Sequence, residues 1–190
     1  MARCYSGAMP PRQPFPIIHP LPDIWLLTDA RNDAALETIL RRLPRGSGLV
    51  FRHYHLPAPE RRARFDALKR LAGQRGHLMI LSGSASQARR WGADGAYGAP
   101  HLLARGPATL RLVTVHSLHE LRRARRAAAV LLSPVFPTRS HPGGKVLGPL
   151  RFRLLAGRTG VPAIALGGLN PHAARRLRWP RWAAIDGHLR

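Results

Sequence analysis

The sequence predicts an α/β fold, a small (β/α)8 TIM barrel whose final helix is truncated. Three observations predict it: short β-like runs recur along the chain, helix-like runs separate most of them, and the strand count reaches eight. Such alternation makes βα units and a parallel sheet. An open doubly wound sheet shares the alternation, and the count is what favours a closed barrel.

Each element has its own signal. The strand at Ile24 to Thr28 leads to a helix over Asp33 to Leu43 that opens on an aspartate. A second strand, Gly48 to Tyr54, precedes a helix from Pro59 to Gly73, with proline at its start and glycine at its end. His77 to Leu81 is followed by a helix from Ser84 to Trp91. After the fourth strand, Gly95 to Tyr97, the segment from Gly98 to Arg111 has room for only a short turn of helix. Leu112 to Val115 feeds a helix over Leu118 to Ala127, and Val130 to Ser133 feeds one over Pro149 to Gly157. Ala163 to Leu166 is followed by Pro171 to Leu177, with Asn170 as N-cap and Pro171 at the first helical position. The last strand, Ala183 to Asp186, leaves only Gly187 to Arg190 behind it.

Composition bounds the rest. A chain of 190 residues that is 45% apolar suits one domain with a real core. Residues 1–22 read as a Pro-rich, poorly ordered N-terminal extension and residues 23–190 as a single barrel domain. No apolar run approaches the roughly 20 residues of a membrane span. The first residues lack a secretory core, so a cytoplasmic location is expected. Cys4 is the only cysteine, which excludes an internal disulfide and a cysteine-based zinc site. The 31 basic and 9 acidic residues give +22, a charge that often signals a polyanion partner. Here the arginines spread over several helices and form no single tail, so they read as solvated helix faces whose field attracts small anions. Nucleic acid is the less favoured partner, and the oligomeric state is open.

In a barrel the residues just after the strand ends gather at one mouth, where this fold builds its active site. Two loops stand out there. In IALGGLNP, Ile164 to Pro171, a buried strand runs into Gly167-Gly168, where backbone N–H groups can approach a ligand, and a helix start follows that would favour an anion. The plainer alternative is a tight turn that needs glycine for its φ angles. In LLSPVFPTRSHPGG, Leu131 to Gly144, the hydroxyls of Thr138 and Ser140 follow a strand end, with Arg139, His141 and Lys145 as nearby cations. Pro134 and Pro137 restrict this loop and reduce the entropy lost on ordering it. Together the loops read as a two-sided grip on one phosphate.

These residues resemble the thiamine phosphate synthase family, within the superfamily that also holds the thiazole tautomerases. LLSPVFPTRSHPGGKVLGPLRF followed by VPAIALGGLNP carries the resemblance, supported by IWLLTD, GADG and VHS, in register from Ile24 to Gly187. Pro134 stands where the tautomerase branch has a histidine, which places the chain nearer the synthases. The resemblance implies a transferase that condenses hydroxymethylpyrimidine diphosphate with thiazole phosphate and releases pyrophosphate. It implies Thr138, Ser140 and Gly168 as thiazole-phosphate contacts; Gly167, Arg139, Lys145, Asp186 and Gly187 are expected around the same substrate. Arg52 would meet the diphosphate, Thr114 takes the place of a strand 5 serine, and His141 takes that of a lysine after the hydroxyl loop.

The chain departs from the family on the diphosphate side. Val50 and Tyr54 replace a glutamine and a lysine, Ser82-Gly83 replaces an Asn-Asp pair, and GAPHLL lacks the second expected acid, with His101 its nearest polar residue. Mg²⁺ prefers carboxylate and phosphate oxygens. No protein ligand for it is therefore expected, and Mg²⁺ would be held by the diphosphate, with Arg52, His53 and His55 neutralising the remaining charge. No organic cofactor is implied. Asp29 and Asp186 are expected to orient an arginine rather than hold metal. A second expectation, from another class, is a phosphate-ligand binding or regulatory protein that kept the fold and lost the reaction.

Overall fold

The computed structural model describes residues 21–124, 126–140 and 142–188. Eight parallel strands close into a barrel: β1 (Ile24–Leu27), β2 (Gly48–Phe51), β3 (Leu78–Ser82), β4 (Gly95–Gly98), β5 (Leu110–Val115), β6 (Ala129–Leu132), β7 (Ala163–Leu166) and β8 (Trp182–Ala184). Pairing of Ile24 with Trp182 and of Leu26 with Ala184 shuts the sheet and excludes the open alternative. The helices are α1 (Leu36–Arg42), α2 (Ala58–Gln74), α3 (Ala85–Trp91), α4 (Pro100–Leu103), α5 (Leu118–Arg123), α6 (Gly148–Ala156) and α7 (Pro171–Leu177). Among the described residues no helix follows β8. None is long and apolar enough to cross a membrane.

Strand alternation sorts the apolar residues into two clusters. Trp25, Leu27, Val50, Ile80, Tyr97, Leu112, Leu131, Ile164 and Ala183 fill the barrel. Their neighbours Leu26, Leu49, Met79, Ala96, Val113, Val130, Ala165 and Ala184 face the helices. Trp25 sets the floor. Its indole lies over Gly48, where a Cβ would strike the ring, and its Nε1–H donates to Pro22 O at 2.8 Å. Leu21 joins the same interior cluster; residues 1–20 of the expected extension lie outside the described residues.

Four sequence expectations are corrected. The β2 strand stops at Phe51 rather than Tyr54, because His53 takes φ 41 and Leu56 N–H closes a turn onto His53 O at 3.3 Å. The expected helix over Asp33 to Leu43 is a 3-10 helix at Ala30–Ala35 followed by α1, since Asp29 and Asn32 cap each other and start the turn early. Helix α5 ends at Arg123 instead of Ala127, because Ala128 N–H already belongs to the sheet through Arg111 O at 2.9 Å. The β8 strand is Trp182–Ala184, and the Ile185 carbonyl is claimed by the Asn32 side chain at 2.9 Å.

Burial disfavours the charged form of two histidines outside the mouth. His77 is buried, donates from Nε2 to Leu40 O at 3.0 Å, and leaves Nδ1 without a partner. His188 bonds Trp25 O through Nε2 at 3.1 Å. Burial lowers the pKa of both below the ordinary histidine range. The unfolded chain takes up protons on these rings as pH falls through about 6.5, and the folded chain only at lower pH. Their contribution is therefore full above that pH and is lost as pH falls. Thermal midpoints measured from pH 7.5 to 5 should drop on the acid side, and His77→Gln should flatten the slope.

Candidate active site

The cleft at the barrel mouth is built from three strand ends. After β6, Ser133 leads through a cis bond to Pro134, and the fully buried Val135 anchors the loop. Val135 N–H donates to Leu166 O at 2.9 Å and Phe136 N–H to Gly167 O at 3.1 Å, so the β6 and β7 loops are fastened edge to edge. The glycines permit this approach. Gly167 and Gly168 sit at φ 97 and 64, and a Cβ on Gly168 would fall on Pro137 O and lie 2.8 Å from Phe136 Cβ. Gly187 packs as closely after β8, where a Cβ would lie 2.9 Å from Ala184 Cβ.

These loops line a cavity of about 650 Å³ that holds Thr138, Arg139, Ser140, Gly167, Gly168, Asp186 and Gly187. Seven residues expected from sequence thus share one space, joined by His172 and Arg175 of α7. Lys145 is exposed and does not line it, and His141 lies outside the described residues. The start of α7 lies at this cavity, with Asn170, Pro171 and His172 in its lining. Helix α7 has seven residues, and Asn170 already accepts the Ala173 N–H at 2.8 Å.

Beside it, a smaller cavity of about 330 Å³ is lined by Arg52, Tyr54, Ser82, Gly83, Tyr97, Gly98, Ala99, Leu102 and Thr114. Burial raises the pKa of the Tyr97 phenol, which stays protonated with Thr114 as its partner. Tyr54 bonds Ser82 across the cavity, and the Arg52 guanidinium stands 5.6 Å from the Tyr54 ring centroid. Arg61 donates to Arg52 O and Ser82 O, both at 2.8 Å, which ties α2 to the β2 and β3 ends. His101 is exposed and off this wall. Among the described residues no carboxylate lines the cavity. The donor set of arginine, phenol and hydroxyl groups does not fit a protein-held Mg²⁺.

Arg31, which sequence reasoning missed, connects the two spaces. It donates from Nε to Asp29 Oδ1 at 2.9 Å and from NH2 to Ser140 Oγ at 2.9 Å, and its NH1 pairs with Asp186 Oδ2 at 3.2 Å. Asp29 in turn holds Arg52 NH2 at 3.2 Å. The expectation that Asp29 and Asp186 orient an arginine is met by this one residue. Hydrogen bonding from Arg31 holds the Asp29 carboxyl below its usual pKa against the opposing effect of burial. The 3-10 helix aims Arg31 into place. Buried Asn32 accepts Asp29 N–H at 2.9 Å and donates to Leu27 O and Ile185 O, pinning the turn between β1 and β8. The available sequence signal was the Asp-x-x-Asn spacing of DARN, a capping box.

His53 lies away from the rim. Its ring is buried, stacks on Phe51 at 4.6 Å and reaches Asp33 Oδ1 at 2.8 Å. His55 is exposed, and neither histidine lines either cavity.

A closed α/β barrel with a polar two-chamber cleft at its C-terminal mouth is the class this geometry defines. The chain belongs to the thiamine monophosphate synthase family, whose model matches residues 24–184. Among solved structures it is similar to a thiamine phosphate pyrophosphorylase from Pyrococcus furiosus, at 23% identity and TM-score 0.72, covering 86% of this chain and 85% of that one. A thiamine phosphate pyrophosphorylase from Bacteroides thetaiotaomicron aligns at 13% identity and TM-score 0.59, covering 86% and 82%. At these identities the likeness shows the fold. No curated protein matches the chain.

Proposed function

We propose that the protein condenses hydroxymethylpyrimidine diphosphate with thiazole phosphate to give thiamine phosphate and pyrophosphate. The carrying observation is the continuous chain from Arg52 through Asp29 and Arg31 to Ser140, which links an aromatic, cationic chamber to a hydroxyl- and glycine-lined one. In this reading the thiazole phosphate sits against Thr138, Ser140, Gly167, Gly168 and Gly187. The pyrimidine enters the chamber of Tyr97 and Thr114. Arg52 faces the diphosphate and stabilises the charge that develops as the methylene C–O bond breaks. The thiazole nitrogen then donates its electron pair to the methylene carbon, forming the C–N bond, while pyrophosphate carries away the other pair. Mg²⁺, where present, arrives on the diphosphate as part of the substrate. No protein group needs to move a proton.

A single-turnover assay with both substrates, with and without Mg²⁺, tests this; thiamine phosphate should form. The lack of any carboxylate among the described residues of the smaller chamber favours one second reading, a phosphate-ligand binding protein without turnover. Tight thiazole phosphate binding with no product would establish it in place of the first.

Arg31→Gln should weaken thiazole phosphate binding roughly tenfold to a hundredfold, given about 1.5–3 kcal/mol for a charged hydrogen bond. The variant also leaves Asp29 and Asp186 without their shared cation. Calorimetric titration of the ligand reads this directly, and an unchanged Kd would remove Arg31 from the phosphate grip.

A further inference from the structure

Outside the two chambers, Asp33, His53 and His55 bring one carboxylate oxygen and two imidazole nitrogens within 4.8 Å of one another. We propose that these three residues form a site for a zinc-class divalent ion that clamps the loop carrying Arg52 to the turn after β1. Two imidazoles and one carboxylate suit Zn²⁺, Co²⁺ or Ni²⁺ and discriminate against Mg²⁺, which takes oxygen ligands. The site is therefore distinct from any magnesium on the substrate.

The backbone and the hydrogen bonds around His53 carry the argument. His53 holds φ 41, a left-handed conformation that a non-glycine residue rarely adopts and that surrounding structure must enforce. The turn places its ring on Phe51, with Nε2 towards Asp33 Oδ1 at 2.8 Å and Nδ1 towards Thr28 Oγ1 at 2.7 Å. The Thr28 hydroxyl can serve either tautomer. It already accepts Arg52 N–H at 2.8 Å, and can donate its own hydrogen to Nδ1 or accept one from it. With the proton on Nδ1, the bare Nε2 lone pair would face a carboxylate oxygen, and a cation between them relieves that repulsion. Thr28 then supplies the outer-shell hydrogen bond that metal-bound histidines use. For a neutral ring, binding shifts the proton from Nε2 to Nδ1 through solvent with no net release.

The local charge leaves room for the ion. Arg64 of α2 donates from Nε to Asp33 Oδ1 at 2.8 Å and also pairs with Glu37 of α1. With neutral histidines, Asp33, Glu37 and Arg64 sum to one negative charge. His55 is exposed and can swing inward to complete the ligand set, leaving a fourth position for water.

The test is Zn²⁺ titration of the untagged full chain by calorimetry, together with the visible spectrum of the Co²⁺-loaded protein. One tight site with strong tetrahedral Co²⁺ bands is expected, and it should persist in excess Mg²⁺. Thr28→Val should weaken Zn²⁺ binding about 10- to 100-fold, and His55→Ala, a surface change that leaves the core untouched, should weaken it at least as much. No tight site, or one whose affinity and spectrum survive His55→Ala, would overturn the proposal. Neither readout depends on the condensation reaction, so failure of one reading leaves the other standing.

Discussion

Arg52→Ala is expected to lower the single-turnover rate of condensation roughly 10²–10³-fold, the cost of removing one preorganised group from developing charge. Among the described residues of the smaller chamber Arg52 is the cation, and none is a carboxylate that could hold a metal in its place. Asp29 fixes one end of the guanidinium at 3.2 Å and the Tyr54 ring lies beside it, so its position is set before substrate arrives. The loss should fall on kcat, with thiazole phosphate affinity unchanged, because the hydroxyl loop keeps Arg31. Arg52→Lys restores charge but not the planar fork and should recover only part of the rate. The fold should tolerate both variants, since the contact with Thr28 comes from the Arg52 main-chain N–H. An Arg52→Ala rate within a fewfold of the original would show that the diphosphate is neutralised elsewhere, with Arg61 the next residue to test.

The sequence was most legible where local chemistry and the global fold agree. The β6 and β7 ends were readable because proline, glycine and hydroxyl residues have few roles beside a buried strand, and seven residues expected from them or from β8 meet in one cavity. Prediction failed where a tertiary partner overrides local pattern. His53 and His55 alternate in sequence like strand residues, yet His53 takes a left-handed turn that sets its ring against Asp33. Arg31 looked like one more surface arginine among many. Only closure of β8 onto β1 brings Asp186 and Ser140 to its guanidinium. The Mg²⁺ question was legible in outline, since missing acids can be read from sequence, but the Arg61 bridge that occupies the β3 end cannot.

Gly168→Ala should abolish detectable thiazole phosphate binding while leaving the barrel folded. At φ 64 the backbone itself resists a side chain, and the added Cβ meets the Pro137 carbonyl, a main-chain atom that cannot rotate aside. Relief requires the Pro134 to Ser140 loop to move away from β7. That motion would stretch the Phe136 to Gly167 hydrogen bond and carry Thr138 and Ser140 off the glycine pair. A two-sided grip then becomes one-sided. The strain should also cost about 1–3 kcal/mol of stability, a lowered thermal midpoint without loss of cooperativity. Gly160→Ala is the control: no atom lies within 4 Å of its Cβ position, so binding and stability should stay near the original values. Because the clash lies in the larger chamber, Gly168→Ala should leave any affinity of the smaller chamber for the pyrimidine diphosphate intact, and loss of both ligands together would mean that the variant disturbs the whole mouth.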